Sequence, residues 1–113
     1  MSEPSKNYFE KITYRDALRL AMHDSMKEDK RVIIMGEDVA KYGGAYGATK
    51  DLLDMFGKER VIDTPISEPA IVGTAIGAAM SGLRPVAELM YVDFFGMSMD
   101  QIANQAAKIR YMF

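Results

Sequence analysis

Cysteine is absent from the 113-residue chain. That excludes a disulfide scaffold, a thiolate zinc site and a cysteine nucleophile. His23 is the only histidine. Neither a histidine-based triad nor a multi-histidine metal site can be built from this chain, and a surface position suits that residue. Charge of one sign is lacking too. A formal net charge of −2 gives no electrostatic case for nucleic acid, whose binders usually show a basic face. Long apolar runs are missing. The longest uncharged stretch, Pro69 to Leu83, falls short of the roughly 18 residues that span a bilayer. The first eleven residues are polar and mixed in charge, without the apolar centre of a signal peptide. The expectation is a soluble, cytoplasmic protein with neither nucleic acid nor membrane as partner.

What is present is ordinary in bulk: 49% hydrophobic and 27% charged, enough for one globular domain. Ten methionines read as filler for irregular core gaps or adaptable interfaces. Residues 1–11 read as a flexible tail, and residues 12–113 as the folded part. Thr13 and Asp16 form a loose capping box. Ala17, Leu18, Ala21, Met22 and Ser25 then recur at helical spacing. Arg31 to Gly36 is a short apolar run ended by glycine, the pattern of a buried parallel strand. Glu37 and Asp38 lie just past its carboxyl end, where open α/β sheets bind ligands. Spacing alone does not separate that use from two acids solvating a loop. Gly43, Gly44 and Gly47 allow positive φ but do not form a dinucleotide fingerprint. Thr49 is placed to cap a short helix over Lys50–Phe56, closed by Gly57. Arg60–Asp63 reads as a second strand.

Pro65 ends that strand and Ser67 is placed to cap a helix over 68–81, with Pro69 tolerated in its first turn. Gly73 and Gly77 each cost about 1 kcal/mol in a helix interior, so something must approach closely there, whether a neighbouring helix or another subunit. A third strand is expected over Arg84–Val92, and a last helix, capped by Asp93, from Phe94 to the end. Strands alternating with helices predict an α/β fold: a parallel sheet with helices on both faces, in three layers. The chain reaches Phe113 on apolar Tyr111, Met112 and Phe113, which want a neighbour. A truncated domain, or half of an assembly, is expected.

Glu68 is the residue of greatest chemical interest. It lies in the first turn of a helix, beyond a strand end, between two prolines and beside Ile66, Ile71 and Val72. The helix dipole accounts for an acid there, at roughly 0.3–1 kcal/mol. Partial burial would also raise its pKa and suit it to proton exchange with a ligand nitrogen. Both accounts stand on the residues alone.

Glu68, followed by Gly73-Thr74 and Gly77, resembles the glutamate–glycine pattern of the pyrimidine-binding domain of thiamine-diphosphate enzymes; Thr74 departs from the bulkier apolar residue usual there. Further blocks resemble the β subunit of 2-oxoacid dehydrogenase E1 components: Ile12–Ala17, Gly36–Val39, Gly43–Tyr46, Arg60–Glu68, Gly82–Pro85 and Asp100–Lys108. Within that group, Met90–Gly96 and Arg110–Phe113 are similar to the acetoin dehydrogenase β subunit.

The resemblance implies an incomplete transketolase-like pyrimidine-binding domain. It implies that Glu68 hydrogen-bonds N1′ of the thiamine diphosphate aminopyrimidine and relays a proton, so that the cofactor can act as electron sink while a C–C bond breaks. Glu37, Ile66, Ser67, Met90 and Phe94 match cofactor-lining positions, Phe94 as the aromatic packed on the pyrimidine. Tyr91 matches a position facing substrate. No metal ligand is assigned in this chain, since the resemblance places the diphosphate and its magnesium with an E1 α subunit. A second β subunit and a lipoyl-bearing E2 component complete the implied heterotetramer and its partner. The implied activity is acetoin cleavage with transfer of a two-carbon unit to the lipoyl partner. The alternative is decarboxylation of pyruvate or a branched-chain 2-oxoacid. An alternative of another class is a non-catalytic subunit-interaction module, in which Gly73 and Gly77 pack a partner helix and Glu68 merely caps. The chain on its own is expected not to turn over substrate.

Overall fold

The computed structural model describes residues 11–113, so all but the last residue of the expected tail lies outside the described residues. Helix α1 spans Tyr14–Glu28, and the Thr13 hydroxyl accepts the Asp16 amide at 3.1 Å, as the capping pattern predicts. Strand β1 spans Val32–Gly36 and is buried along its whole length. Helix α2 spans Leu52–Phe56, strand β2 Val61–Asp63, helix α3 Glu68–Met80 and strand β3 Arg84–Glu88. The sheet is parallel throughout, in the order β2-β1-β3. The apolar run of β1 therefore occupies the centre, where both faces are covered.

Side chains alternate across that strand. Val32 and Ile34 join Met26 of α1, Leu52 of α2, Val39 and Val61 in one core cluster. Ile33 and Met35 point the other way, and α3 covers that side with buried Ile71, Val72 and Ala75. Helices on both faces of a three-stranded sheet make the three layers expected. Arg60 ties the layers at the amino end of β1. Its guanidinium donates four hydrogen bonds to the carbonyls of Met26, Asp29 and Val32 and stacks 5.2 Å from the Phe56 ring centre.

Four expectations need correction. Helix α2 begins two residues late, behind Asp51 in a left-handed conformation and without a side-chain cap. Thr49 does not cap it. The Thr49 hydroxyl is buried and donates to the Val39 carbonyl at 2.6 Å. Ser67 occupies the cap position of α3, yet its side chain makes no cap bond. Strand β3 stops at Glu88 rather than Val92, because its partner β1 ends at Gly36, opposite Glu88. Past that point no ladder remains.

The last helical stretch is not uniform. Residues Val92–Ser98 wind as a 3₁₀ turn, Asp100–Ala106 as a π-helix, and only Ala107–Met112 as an α-helix, α4. Asp93 lies inside the first turn, and Tyr91 occupies the cap position. The wide π turns fall where Gln101 lies over Gly73 of α3. A Cβ built on Gly73 would meet Gln101 Oε1 at 3.3 Å. The close approach expected at Gly73 thus comes from this chain itself. Nothing lies within 4 Å of a Cβ built on Gly77.

Candidate active site

The chemistry gathers at the carboxyl ends of the strands. The register sets Asp63 of β2, Gly36 of β1 and Glu88 of β3 in one row. Gly36 is required there by close approach: a Cβ would stand 2.9 Å from the Glu88 carbonyl oxygen and 3.0 Å from Val39 Cγ1. Directly after it the chain turns through Glu37 and Asp38, the latter at φ 54. The Asp63 carboxylate holds that turn by accepting the amides of Ala40 at 2.7 Å and Lys41 at 3.3 Å. On the far side of β2, the Thr64 amide donates to the Gly36 carbonyl at 2.9 Å. That bond directs the chain past Pro65 into α3, whose first residue is Glu68.

Glu68 is only 6% exposed. The Glu37 carboxyl sits beside it. Burial pushes the Glu37 pKa above the usual carboxylate range first, the negative charges of Glu68 and Asp38 next, and a hydrogen bond with Glu68 last. Glu88 is also pushed up, first by burial and then by the charge of Glu37. Its Oε2 is buried without a hydrogen-bond partner among the described residues. No lysine or arginine pairs with any of the three glutamates among the described residues. Glu37 is close enough to each of the other two for the charges to act on one another, with no fixed cation among the described residues. Raised carboxyl pKa values without a fixed cation mark a candidate ligand site, and the unpaired carboxyl oxygens suit a ligand that offers nitrogen donors.

Past the end of β3 stands an aromatic series. Tyr91 meets Phe94 edge to face, with ring centres 5.9 Å apart. Tyr46, from the glycine loop, meets Tyr91 in the same way at 6.0 Å. Among the site residues named from the sequence, the structure brings Glu37 to Glu68 and Tyr91 to Phe94. Ile66 is 81% exposed, and Ser67 is half-buried with no cap bond. Met90 is half-buried where the chain leaves β3. No hydrogen bond links Ser67 to the carboxyl pair among those formed within the described residues. His23 stays apart, half-buried against Phe56 with Nδ1 2.8 Å from Asp24 Oδ1. No group of three metal-ligating side chains forms among the described residues, and none of their helices is long and apolar enough to cross a membrane.

Sequence reasoning passed over Glu88 and Tyr46. The signal for Glu88 was present: an acid closing an apolar strand, level with the glycine that ends the neighbouring strand. Tyr46 carried no such signal, because its partner is 45 positions away.

Residues 10–113 match the model of the transketolase pyrimidine-binding domain. The chain is 51% identical over 100 residues to the β subunit of 2-oxoisovalerate dehydrogenase of Bacillus subtilis. It is 54% identical over 101 residues to the β subunit of the pyruvate dehydrogenase E1 component of Rickettsia bellii. It is 47% identical over 114 aligned positions to the β subunit of acetoin:2,6-dichlorophenolindophenol oxidoreductase of Bacillus subtilis. These alignments cover 88%, 89% and 90% of this chain and 31%, 31% and 33% of the relatives. The chain therefore spans about a third of the length of the curated relatives it matches. With nearly every described residue inside the matched span, the chain belongs to the transketolase pyrimidine-binding domain family.

Proposed function

We propose that this chain is the pyrimidine-holding part of an E1 β subunit, in an oxidoreductase complex that depends on thiamine diphosphate. The observation that carries the reading is Glu68: a buried carboxyl opening a helix at the carboxyl ends of a parallel sheet, with a second carboxyl beside it and no cation. An aminopyrimidine fits that donor set, since its ring nitrogen and exocyclic amine complement carboxyls that lack partners. The orphaned Glu88 Oε2 marks a further unmet acceptor in the same row. Thiamine diphosphate, when bound, supplies a carbon nucleophile and an electron sink for breaking a bond next to a carbonyl.

The chain's own part is binding, orientation and one proton. Glu68 holds N1′ and exchanges a proton there. Glu37 holds the neighbouring carboxyl position, its pKa raised by burial first and by the charge of Glu68 next. Ile66, Ser67, Met90 and Phe94 line the ring, and Tyr91 faces the substrate. The E1 α subunit holds the diphosphate and its magnesium. A second β subunit and a lipoyl-bearing E2 component are the other partners, in a cytoplasmic complex. The chain by itself does not turn over substrate.

For the substrate we put acetoin first. The support is Met90–Gly96 and the terminal Arg110–Phe113, and a β subunit named for acetoin is 47% identical. A 2-oxoacid substrate is favoured by the relatives at 51% and 54%, which are named for such acids. Use as a pure interaction module loses its main support at Gly73, where Gln101 of the same chain makes the close approach.

The test is Glu68→Gln in the full β subunit assembled with its α partner, assayed on acetoin and on pyruvate. Loss of a positioned proton-transfer group costs about 10²–10⁴-fold in rate, and assembly should be unchanged. An intact complex that keeps more than about half its activity would refute the assignment. The substrate turned over by the unaltered complex decides between acetoin and the 2-oxoacids.

A further inference from the structure

The loop between β1 and α2 is built more tightly than a connector requires. The Gly44 amide donates to the Asp38 carbonyl at 2.8 Å, Gly47 to Gly44 at 3.0 Å, and Thr49 to Gly43 at 3.1 Å. The buried Thr49 hydroxyl and the Asp63 carboxylate clamp its base. Gly43, Gly44 and Gly47 take φ of 80, 84 and 77, a left-handed backbone that glycine adopts without strain. A Cβ on Gly43 would stand 3.0 Å from Lys50 Cα, so the two arms of the loop touch. The result is a rigid hairpin-like projection with Ala45 and Tyr46 at its tip.

Tyr46 does nothing for the packing of that loop. Its side chain is 63% exposed, and its ring contact is with Tyr91, at 6.0 Å and 85°. Tyr91 in turn meets Phe94 at 5.9 Å and 90°. Edge-to-face pairs of this kind have a preferred geometry and hold each other in place. The neighbouring Tyr91 side chain is the main cause that raises the Tyr46 phenol above its ordinary value. Tyr91 follows β3, past the end of the strand that carries Glu88.

We propose that Tyr46 is a positioning residue for substrate selection: the glycine loop delivers its ring to Tyr91, and the two rings form an uncharged wall that accepts a small hydroxyketone and disfavours a carboxylate. This rests on the reading that Tyr91 faces the substrate of a thiamine-diphosphate enzyme. The physical ground is the aromatic quadrupole, whose negative face repels an anion and tolerates a neutral methyl or hydroxyl group. Tyr46 touches no reacting atom; it acts through Tyr91.

The experiment uses the full β subunit assembled with its α partner and compares the unaltered complex with Tyr46→Leu, Tyr46→Phe, Tyr91→Ala and the Tyr46→Leu/Tyr91→Ala double variant. Tyr46→Leu should raise KM for acetoin about two- to tenfold, the worth of one aromatic pair, with kcat within about twofold. The preference for acetoin over pyruvate, as a ratio of kcat/KM, should fall by a similar factor. Tyr46→Phe keeps the ring and should restore most of the loss. In the Tyr91→Ala background, Tyr46→Leu should add nothing. Affinity for thiamine diphosphate, read by calorimetry, should not change in Tyr46→Leu or Tyr46→Phe.

An unchanged KM in Tyr46→Leu, or an undiminished effect in the double variant, overturns the positioning role. An effect equal for acetoin and pyruvate overturns the selection role. An unaltered complex that turns over neither substrate with thiamine diphosphate overturns the functional reading itself, and this inference with it.

Discussion

Gly36→Ala and Gly77→Ala are the same chemical change and should move stability in opposite directions. At Gly36 the new methyl would stand 2.9 Å from the Glu88 carbonyl oxygen, 3.1 Å from Glu88 Cβ and 3.0 Å from Val39 Cγ1. Comfortable contacts begin near 3.5 Å. Two of the three neighbours belong to β3, which is held to β1 along its whole length, and Val39 is fully buried. Relief therefore requires shifting a paired strand or a core side chain, and overpacking of this kind costs about 1–3 kcal/mol. Alanine recovers about 0.5–1 kcal/mol of backbone entropy, leaving a net loss of about 1–2 kcal/mol. With an m-value of about 2 kcal/mol/M in urea, the unfolding midpoint should fall by about 0.5–1 M at constant m. At Gly77 no atom lies within 4 Å of the new methyl, and only the helix gain of about 0.5–1 kcal/mol remains. Its midpoint should rise. The assay is urea unfolding of the full-length chain followed by far-ultraviolet circular dichroism. A Gly36→Ala midpoint within about 0.2 M of the parent would refute the close approach of β1 and β3 at the site. A lowered midpoint for Gly77→Ala would refute the open space there.

Glu37 and Asp29 should titrate stability in opposite senses. The Glu37 pKa is raised in the fold, so the native state holds that proton longer than the unfolded chain. Stability is undiminished below the unfolded value near pH 4.3 and is lost as pH rises from there through the folded value. Glu37→Gln removes the loss, so its Tm should exceed the parent's at pH 7 and converge with it below about pH 4; an offset independent of pH would contradict the burial argument. Asp29 is held at about 2, chiefly by hydrogen bonds from Arg31. Its contribution is full above 3.8 and is lost as pH falls from there through about 2; Asp29→Asn should abolish this acid-side loss in thermal scans. Arg60→Met should cost about 2–3 kcal/mol by urea unfolding, because it strips donors from the carbonyls of Met26, Asp29 and Val32. Arg60→Lys should recover only part, since a point donor cannot replace the fork; full recovery would show that charge alone matters.

Elements with a strong local pattern were legible in the sequence. The run Val32–Gly36, the capping pair Thr13 and Asp16, and the prolines around Ser67 each carry their own cause, and the structure places β1, α1 and α3 accordingly. The misreadings share a different cause. Thr49 has the chemistry of a cap, but the buried Val39 carbonyl claims its hydroxyl, and no local rule says which acceptor wins. The stop of β3 at Glu88 is set by where β1 ends, a fact of pairing rather than of Leu89 or Met90. The π turns at Asp100–Ala106 follow no periodicity in the residues and coincide with the seat of Gln101 on Gly73. The site divides in the same way. Glu37 and Glu68 could be named from their places beyond strand ends. Glu88 needed the register, and Tyr46 needed the path of the glycine loop.

The two ends of the sheet treat their acids differently, and that difference supports the proposed site at the carboxyl end. At the amino end, before β1 and beside the start of β3, Asp29 is matched by Arg31 at 2.8 Å and Arg84 at 3.5 Å. The acid there is met by two cations. At the carboxyl end Glu37 neighbours both Glu68 and Glu88; Glu37 and Glu88 have raised pKa values, and Glu88 has a buried oxygen that meets no donor among the described residues. A chain under selection for stability alone would place a cation or an apolar group at one of these positions, since unpaired buried acids lower stability. Local rules are broken at functional sites and kept elsewhere. The break falls where parallel α/β sheets bind ligands, in the row of Gly36, where a Cβ would stand 2.9 Å from the Glu88 carbonyl oxygen. The partner that completes this end must bring donors, as an aminopyrimidine does and as a helix packed on Gly73 and Gly77 does not.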